Sequence, residues 1–467
     1  MSEEFATIIL AAGKGTRMRS RHPKVLHPLC GMPMLNHVVT CAAGAGSSSI
    51  LVVIGHGAGV VQEVVAASGL GAECVVQEEQ LGTGHAVLTC KANLADYAHP
   101  VLILNGDVPL VTPDLVLGVL AAHRKGGGGV TVVSVNLADP TGYGRIMRAA
   151  DGTVERIVEQ KDANAEERAV REVNTGIYVA DADILFPTLE QVSANNVQGE
   201  YYLTDIVGLA LAGGNPVHVH RADDPDLVLG VNSRRELARV GGVLRRRIHE
   251  RLMDAGVTLV DPARTDVDAS VVVGEDTVLY PGVTLQGTTV LGRDCVVLPG
   301  SRVVNSRIGD GVTIKDHCLI EDAVLEGGNS VGPMAHLRPG TVLRHGARIG
   351  NFVEIKKADI GEGSKINHLS YVGDASVGRD VNIGAGTITC NYDGVNKHHT
   401  DIGDGVFVGS DTQLVAPVKV GAHAVIGAGT TVTRDVPAGA LAVSRPEQKN
   451  VDGWVGRRKT SKKKDGH

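Results

Sequence analysis

The sequence predicts two halves of different architecture joined by a long helix: an α/β sheet domain, then an all-β parallel coil. Three observations carry this. In the first half, strand-like runs (ATIIL, ILVVI, VLIL, VTVVSV) alternate with helix-spaced segments such as MPMLNHVVTCAA and HAVLTCKANLA. Between the halves, Leu237, Val240, Leu244, Ile248 and Leu252 fall at steps of three and four. In the second half, aliphatic residues recur at every sixth position over long stretches.

Taken in order, strands alternating with helices argue for a parallel sheet covered by helices. The connecting segment SRRELARVGGVLRRRIHERLMDAG has Ser233 to cap a helix and Gly256 to end it. The six-residue spacing runs Val273, Leu279, Leu285, Leu291, Val297, Val303, then Ile308, Ile314, Ile320, then Leu325 to Ile355. It continues through Ile360, Ile366 and Val372, then Val377 and Ile383, and resumes from Ile402 to Val432. Each unit reads as a short strand plus a turn, three units closing one coil around an aliphatic column. A β-sandwich would instead show period-two alternation with irregular turns. The composition agrees: 60 glycines in 467 residues is well above the usual ~7%, while aromatics are only 3%. Glycine at the corners is expected to supply positive φ. The polar stretch TCNYDGVNKHHTD between Ile383 and Ile402 breaks the period and reads as an extruded loop.

Boundaries follow: 1–231, a linker helix 232–256, the coil 257–447, and a basic, solvated, disordered tail 448–467. The net charge of −7 argues against a dedicated nucleic-acid binder. No apolar run approaches the ~18 residues of a membrane span, so no membrane insertion is expected. Seven cysteines without a CxxC pair fit free thiols in a reducing cytoplasm. The acidic start MSEEFATIIL is unlike a secretory signal.

After ATIIL comes AAGKGTRM, a loop whose small residues let backbone N–H groups approach phosphate oxygens. It is not a dinucleotide fingerprint, because residue 18 is Met and no acidic residue ends the next strand near Ile54. It is not a Walker loop, because no GK[ST] follows. A plain strand–helix turn remains open from this segment alone.

LAAGKGTRM, HPKVL, QEEQLGTGHA and LNGDVPL together resemble the sugar-1-phosphate nucleotidyltransferases. With the hexapeptide half, the chain is similar over nearly its whole length to the bacterial bifunctional UDP-N-acetylglucosamine pyrophosphorylase and glucosamine-1-phosphate N-acetyltransferase family. The resemblance implies a Rossmann-like nucleotidyltransferase domain and a left-handed parallel β-helix. It also implies a homotrimer through that helix, with acetyl sites shared between neighbours, and Mg²⁺ as cofactor. The implied substrates are UTP, acetyl-CoA, glucosamine 1-phosphate and N-acetylglucosamine 1-phosphate, feeding cell-envelope precursors.

Residue by residue, the resemblance implies that Ala11, Ala12, Gly13, Lys14 and Arg17 meet the nucleotide and that Lys24 neutralises phosphate. Gln77, Gly82 and Thr83 would read the uracil edge and ribose. Asp107 and Asn232 would hold Mg²⁺, and Gly144, Glu159 and Asn174 the sugar. Asn105 stands where a tyrosine is expected, which puts a stacking or hydroxyl contact in doubt. On the coil, Arg338 and Lys356 would bind the sugar phosphate, while Tyr371, Asn382 and Tyr392 position sugar or acetyl group. His368 would take the amine proton, a role its near-neutral pKa suits. Acetyl-CoA is implied along Ala385, Asn391, Tyr392, Ser410, Ala428 and Arg445. Cys390 lacks a recognisable activating base and is not expected to be a nucleophile.

Two rivals stand beside the two-activity reading. A single-activity nucleotidyltransferase with a structural coil has no use for His368, Tyr371, Asn391 and Tyr392. A non-catalytic scaffold or nucleotide sensor has no use for Lys24, Asp107 and Asn232.

Overall fold

A computed structural model of the chain describes residues 4–461. The chain divides into two compact units, Met1–Ile248 and His249–His467.

The first unit is built on strands β1 (Ala6–Leu10), β2 (Ser49–Ile54), β3 (Glu73–Val76), β4 (Pro100–Asn105), β5 (Val130–Asn136), β6 (Arg145–Arg148), β7 (Val154–Val158), β8 (Glu172–Asp181) and β9 (Val217–Arg221). They form one sheet in the order β9-β5-β8-β4-β1-β2-β3, with the β6–β7 hairpin attached to β8. Strands β1 to β4 run parallel. The parallel sheet is present as expected but is not parallel throughout: β8 is antiparallel to both β4 and β5. The route from β5 to β8 passes through that hairpin instead of a covering crossover helix, and only a crossover returns a strand in parallel. Ile8 and Ile103 face one core, and Ile9, Leu102 and Leu104 the other. Both faces are buried, so the strand sequences read as continuous apolar runs. The segment HAVLTCKANLA does not form one helix: it contributes to the helix Thr83–Leu88 and then to the 3-10 turn Lys91–Leu94.

The long helix spans Arg234–Asp254, with the Glu236 N–H donating to Ser233 Oγ at 3.3 Å. Val240 and Val243 pack with Leu29, Met34, Leu110 and Val231. Gly256, at φ +87°, follows its end.

The second unit is a parallel β-helix of hexapeptide rungs. Leu279 pairs with Val297, Val297 with Ile314, and Ile314 with Val331, so one coil takes 17 or 18 residues. The aliphatic column is buried, with Leu285, Val297, Ile314, Leu337 and Ile366 each 0% exposed. The expected loop is present: Val377 pairs with Ile402, 25 residues on, and Tyr392 and Lys397 bridge antiparallel within the extrusion.

Positive φ is found as expected at corner glycines of the coil, among them Gly282, Gly300, Gly340 and Gly363, whereas glycines such as Gly350 that directly follow an aliphatic position serve another purpose. Gly350 is absent from the positive-φ residues, yet a Cβ there would lie 1.9 Å from the Asn367 carbonyl oxygen of the next coil. Several positive-φ corners are instead occupied by side-chain-bearing residues, among them His317, Phe352, Leu369 and His423. At Gly350 glycine is needed because stacked coils approach more closely than a Cβ allows.

All seven cysteines are free thiols. No helix among the described residues is long and apolar enough to cross a membrane. In the stretch 448–467, expected to be disordered, the described part carries the helix Trp454–Ser461. Trp454 and Val455 are exposed, so the helix buries no apolar stripe that spacing could reveal. Residues 462–467 lie outside the described residues.

Candidate functional site

Two adjoining cavities open at the ends of β1 and β4. The first, about 470 Å³, is lined by Ala11, Ala12, Gly13, Lys14, Lys24, Gln77, Gly82, Thr83 and Asp107, all expected site residues. Gln80 and Glu200 also line it and were not anticipated. The second, about 220 Å³, is lined by Gly144, Glu159, Asn174 and Asn232, together with Tyr143, Tyr178 and Thr204. Leu10, Thr83, Asn105 and Asp107 belong to both linings, so the cavities share a wall. Arg17 is exposed and outside both linings, on the 3-10 turn Thr16–Met18.

Local structure explains the placement. The Ala11 N–H donates to the Val53 carbonyl at 2.8 Å, which extends the sheet into the loop before it turns away. Gly15 adopts φ +58°, and a Cβ there would meet the Lys24 side chain at 2.5 Å. Only glycine lets the loop pass Lys24 this closely. Gln77 is buried and donates through Nε2 to the Gly82 carbonyl at 3.1 Å, with His85 Nδ1 at 3.0 Å.

At the shared wall, the Lys24 ammonium pairs with Asp107 Oδ2 and donates to Asn232 Oδ1 at 3.1 Å. A cation is therefore already held between these two oxygens. An all-oxygen pair of this kind suits a hard divalent ion that takes its other ligands from phosphates and water. No cluster of three His, Cys, Asp or Glu that could hold a metal exists among the described residues. The Asp107–Asn232 pair thus fits a metal shared with a phosphate substrate better than a permanently caged one.

In the second cavity, burial pushes the Glu159 carboxyl pKa up, and the nearby Asp162, Asp205 and Glu200 carboxylates add to this. Asn174 is held by two bonds: Nδ2 donates to the Tyr178 hydroxyl at 2.7 Å, and Oδ1 accepts from the Gly176 N–H at 3.0 Å. Asn105 donates to the Gly176 carbonyl at 3.4 Å.

On the β-helix, the register gathers a second set of residues. Tyr371 pairs with Glu354 across adjacent coils, and Lys356 with Gly373. Arg338 is salt-bridged to Glu354 at 2.7 Å. Asn391 donates to Asp374 and lies 3.4 Å from the Tyr371 hydroxyl. Lys397, from the extruded loop, reaches Lys356, and that proximity lowers the Lys356 pKa, with Arg338 adding to the effect and Asp374 opposing it. Three cations thus converge on one surface. Sequence reasoning missed Lys397, although it lies in the loop already singled out.

His368 is exposed, and its Nδ1 lies 2.7 Å from Asn351 Oδ1 on the preceding coil. Asn351 was also missed; its separation of 17 residues is one coil. Asn382 begins the short strand Asn382–Ile383, paired with Lys365 on one side and Phe407 on the other. Ala385, Ser410 and Ala428 occupy successive coils: the Asp411 N–H donates to the Ala385 carbonyl and the Gly429 N–H to the Ser410 carbonyl. Arg445 lies over this column, its side chain within 3.6 Å of positions where Gly427 and Gly429 would carry a Cβ. Tyr392 is 60% exposed and donates to the Gly394 carbonyl at 2.6 Å. Burial raises the Cys390 thiol pKa, opposite to the shift that activates a nucleophile.

Comparison with known proteins gives consistent results. Residues 7–193 match the model of the MobA-like NTP transferase domain. Residues 399–434 match that of the bacterial transferase hexapeptide (six repeats). The chain is 52% identical over 452 residues to the bifunctional protein GlmU of Pelobacter propionicus, covering 97% of this chain and 98% of that one. It is 52% identical over 449 residues to the protein of the same name from Trichlorobacter lovleyi, covering 96% and 97%. With that of Heliobacterium modesticaldum it shares 48% over 451 residues, covering 97% and 98%.

Proposed function

The chain belongs to the family of bifunctional GlmU proteins, and from that premise we propose that it catalyses two successive transfers. The first is acetylation of glucosamine 1-phosphate by acetyl-CoA. The second is uridylyl transfer from UTP to N-acetylglucosamine 1-phosphate, releasing pyrophosphate. The observation that carries this reading is the pairing of Lys24 with both Asp107 and Asn232 beside a glycine-rich loop, while a separate cation set and His368 stand on the coil. The relatives' name, bifunctional, favours two activities over a nucleotidyltransferase with a purely structural coil.

In the uridylyl step, the sugar phosphate is already an anionic nucleophile, so no side chain need remove a proton. The loop at Gly13 and Lys14 and the Lys24 ammonium hold the triphosphate for in-line attack at the α-phosphorus. Gln77, Gly82 and Thr83 face the nucleoside, and Gly144, Glu159 and Asn174 the sugar. Asp107 and Asn232 would hold Mg²⁺, which would supply charge neutralisation at the phosphates.

In the acetyl step, Arg338, Lys356 and Lys397 bind the sugar phosphate. Asn351 engages His368 Nδ1, which leaves Nε2 to accept the amine proton. The new N–C bond forms as the thioester C–S bond breaks, and coenzyme A leaves as the thiolate, which takes up the proton that His368 received and is released as the thiol. Acetyl-CoA lies along Ala385, Ser410 and Ala428 with Arg445 at its phosphates.

We place the nucleotidyltransferase at 1–231, the linker helix at 232–256 and the acetyltransferase at 257–447, in a cytoplasmic homotrimer. Exposed apolar residues at stacked corners, Phe352 at 55% and Leu369 at 61%, support burial against a second copy.

The test is a paired assay of UTP with N-acetylglucosamine 1-phosphate, and of acetyl-CoA with glucosamine 1-phosphate. Asp107→Ala abolishes the first and spares the second; His368→Ala does the reverse. Equal loss of both activities in either variant overturns separate sites.

A further inference from the structure

Two successive residues, Val231 and Asn232, are tied through their backbone to different parts of the first unit. Gly230, just before them, lines the second cavity with Tyr143 and Gly144. The Val231 N–H donates to the Asp107 carbonyl at 2.9 Å. The Asn232 N–H donates to Glu236 Oε2 at 2.7 Å. Glu236 is itself fixed, since its own N–H donates to Ser233 Oγ at 3.3 Å and the Leu237 N–H donates to the Ser233 carbonyl at 2.9 Å.

Glu236 is the third residue of a helix capped by Ser233. A glutamate there ordinarily reaches back to the cap residue's own N–H. Here the carboxylate reaches one residue further back and accepts from the N–H of Asn232, the residue whose Oδ1 accepts from Lys24. A charge-assisted bond to a backbone N–H is stronger and more directional than a neutral one. It fixes the peptide plane from which the Asn232 side chain departs.

We propose that Glu236 is a positioning residue of the nucleotidyl site, holding Asn232 so that its Oδ1 stands opposite Asp107. This rests on the reading above that Asn232 and Asp107 share the metal. Glu236 lines neither of the two cavities, and its role runs only through the Asn232 backbone.

The experiment uses the full-length chain with Glu236→Ala and Glu236→Gln. Glutamine keeps an acceptor oxygen, whereas alanine removes it. Mn²⁺ binding, followed by its electron paramagnetic resonance signal with UTP present, is measured alongside hydrogen exchange of the peptide covering residues 230–237. Outer partners of metal ligands typically contribute about 10- to 100-fold to metal affinity. The alanine variant therefore weakens Mn²⁺ binding by roughly tenfold or more and speeds exchange at Asn232, while acetylation is unchanged. The glutamine variant stays within about threefold of the parent. The proposal is overturned by unchanged Mn²⁺ affinity in the alanine variant, or by equal losses in both variants. A parent protein that binds Mn²⁺ and UTP but transfers no uridylyl group overturns the proposed function and leaves the role of Glu236 standing.

Discussion

Replacing Lys24 by methionine keeps most of the side-chain volume and removes one ammonium. That ammonium sits on a side chain only 13% exposed, pairs with Asp107, itself 18% exposed, and donates to Asn232 Oδ1 at 3.1 Å. A hydrogen bond to a charged group contributes about 1.5–3 kcal/mol. At roughly 1.4 kcal/mol per tenfold, losing one such contact to the triphosphate lowers kcat/KM for UTP by about 10- to 150-fold. Water still reaches Asp107 and screens the pair, so the stability loss falls below that range, at about 1 kcal/mol. For a unit of this size that lowers the thermal midpoint by roughly 2–4 °C. The assay is pyrophosphate release against UTP at saturating Mg²⁺ and sugar phosphate, with coenzyme A release from the acetyl reaction as internal control. A kcat/KM within threefold of the parent would mean that Lys24 only braces Asp107 and has no part in binding phosphate. A parallel fall in acetylation would refute the independence of the two sites.

Three further outcomes are expected. Lys397→Met raises KM for glucosamine 1-phosphate roughly tenfold, as loss of one phosphate contact would, and leaves KM for acetyl-CoA unchanged; initial-rate kinetics check it. Burial raises the Glu159 pKa, so the ionised carboxylate proposed to accept sugar hydroxyls is lost as pH falls through a value above the ordinary ~4.3 of glutamate. KM for N-acetylglucosamine 1-phosphate accordingly rises on the acid side in the parent, and Glu159→Gln abolishes that pH dependence. Gly350→Ala forces a Cβ to 1.9 Å from a carbonyl oxygen of the next coil; overpacking of this kind costs about 1–3 kcal/mol, read as a lowered thermal midpoint of the acetyl-transferring unit.

The coil was legible because its determinant is local: one aliphatic side chain every six residues, repeated, closes only one way into a buried column. The loop beyond Ile383 showed itself as a break in that period. The alternating first half revealed strands and helices but concealed the reversal of β8, since direction depends on where the intervening hairpin leaves the chain. The corner glycines with positive φ were legible, but glycines such as Gly350 were not, because their cause is the approach of a neighbouring coil, which no φ preference encodes. Asn351 and Lys397 escaped notice for related reasons. Asn351 meets His368 only through stacking one coil away, and Lys397 meets Lys356 only after the loop folds back on itself. The Ser233 and Glu236 spacing did carry a visible capping signal, yet the bond from Glu236 to Asn232 was not readable from it.

Residue types and their periods therefore determined the two architectures, the long helix and the classes of side chain available for chemistry. Folding alone decided which of those side chains meet. Asp107 and Asn232 are separated by 83 and 208 residues from Lys24 in the chain, and only the crossing of sheet edge, loop and helix start brings the three side chains within hydrogen-bond reach. Contacts at that separation depend on how whole elements pack, whereas a strand, turn or cap depends on neighbours a few residues away.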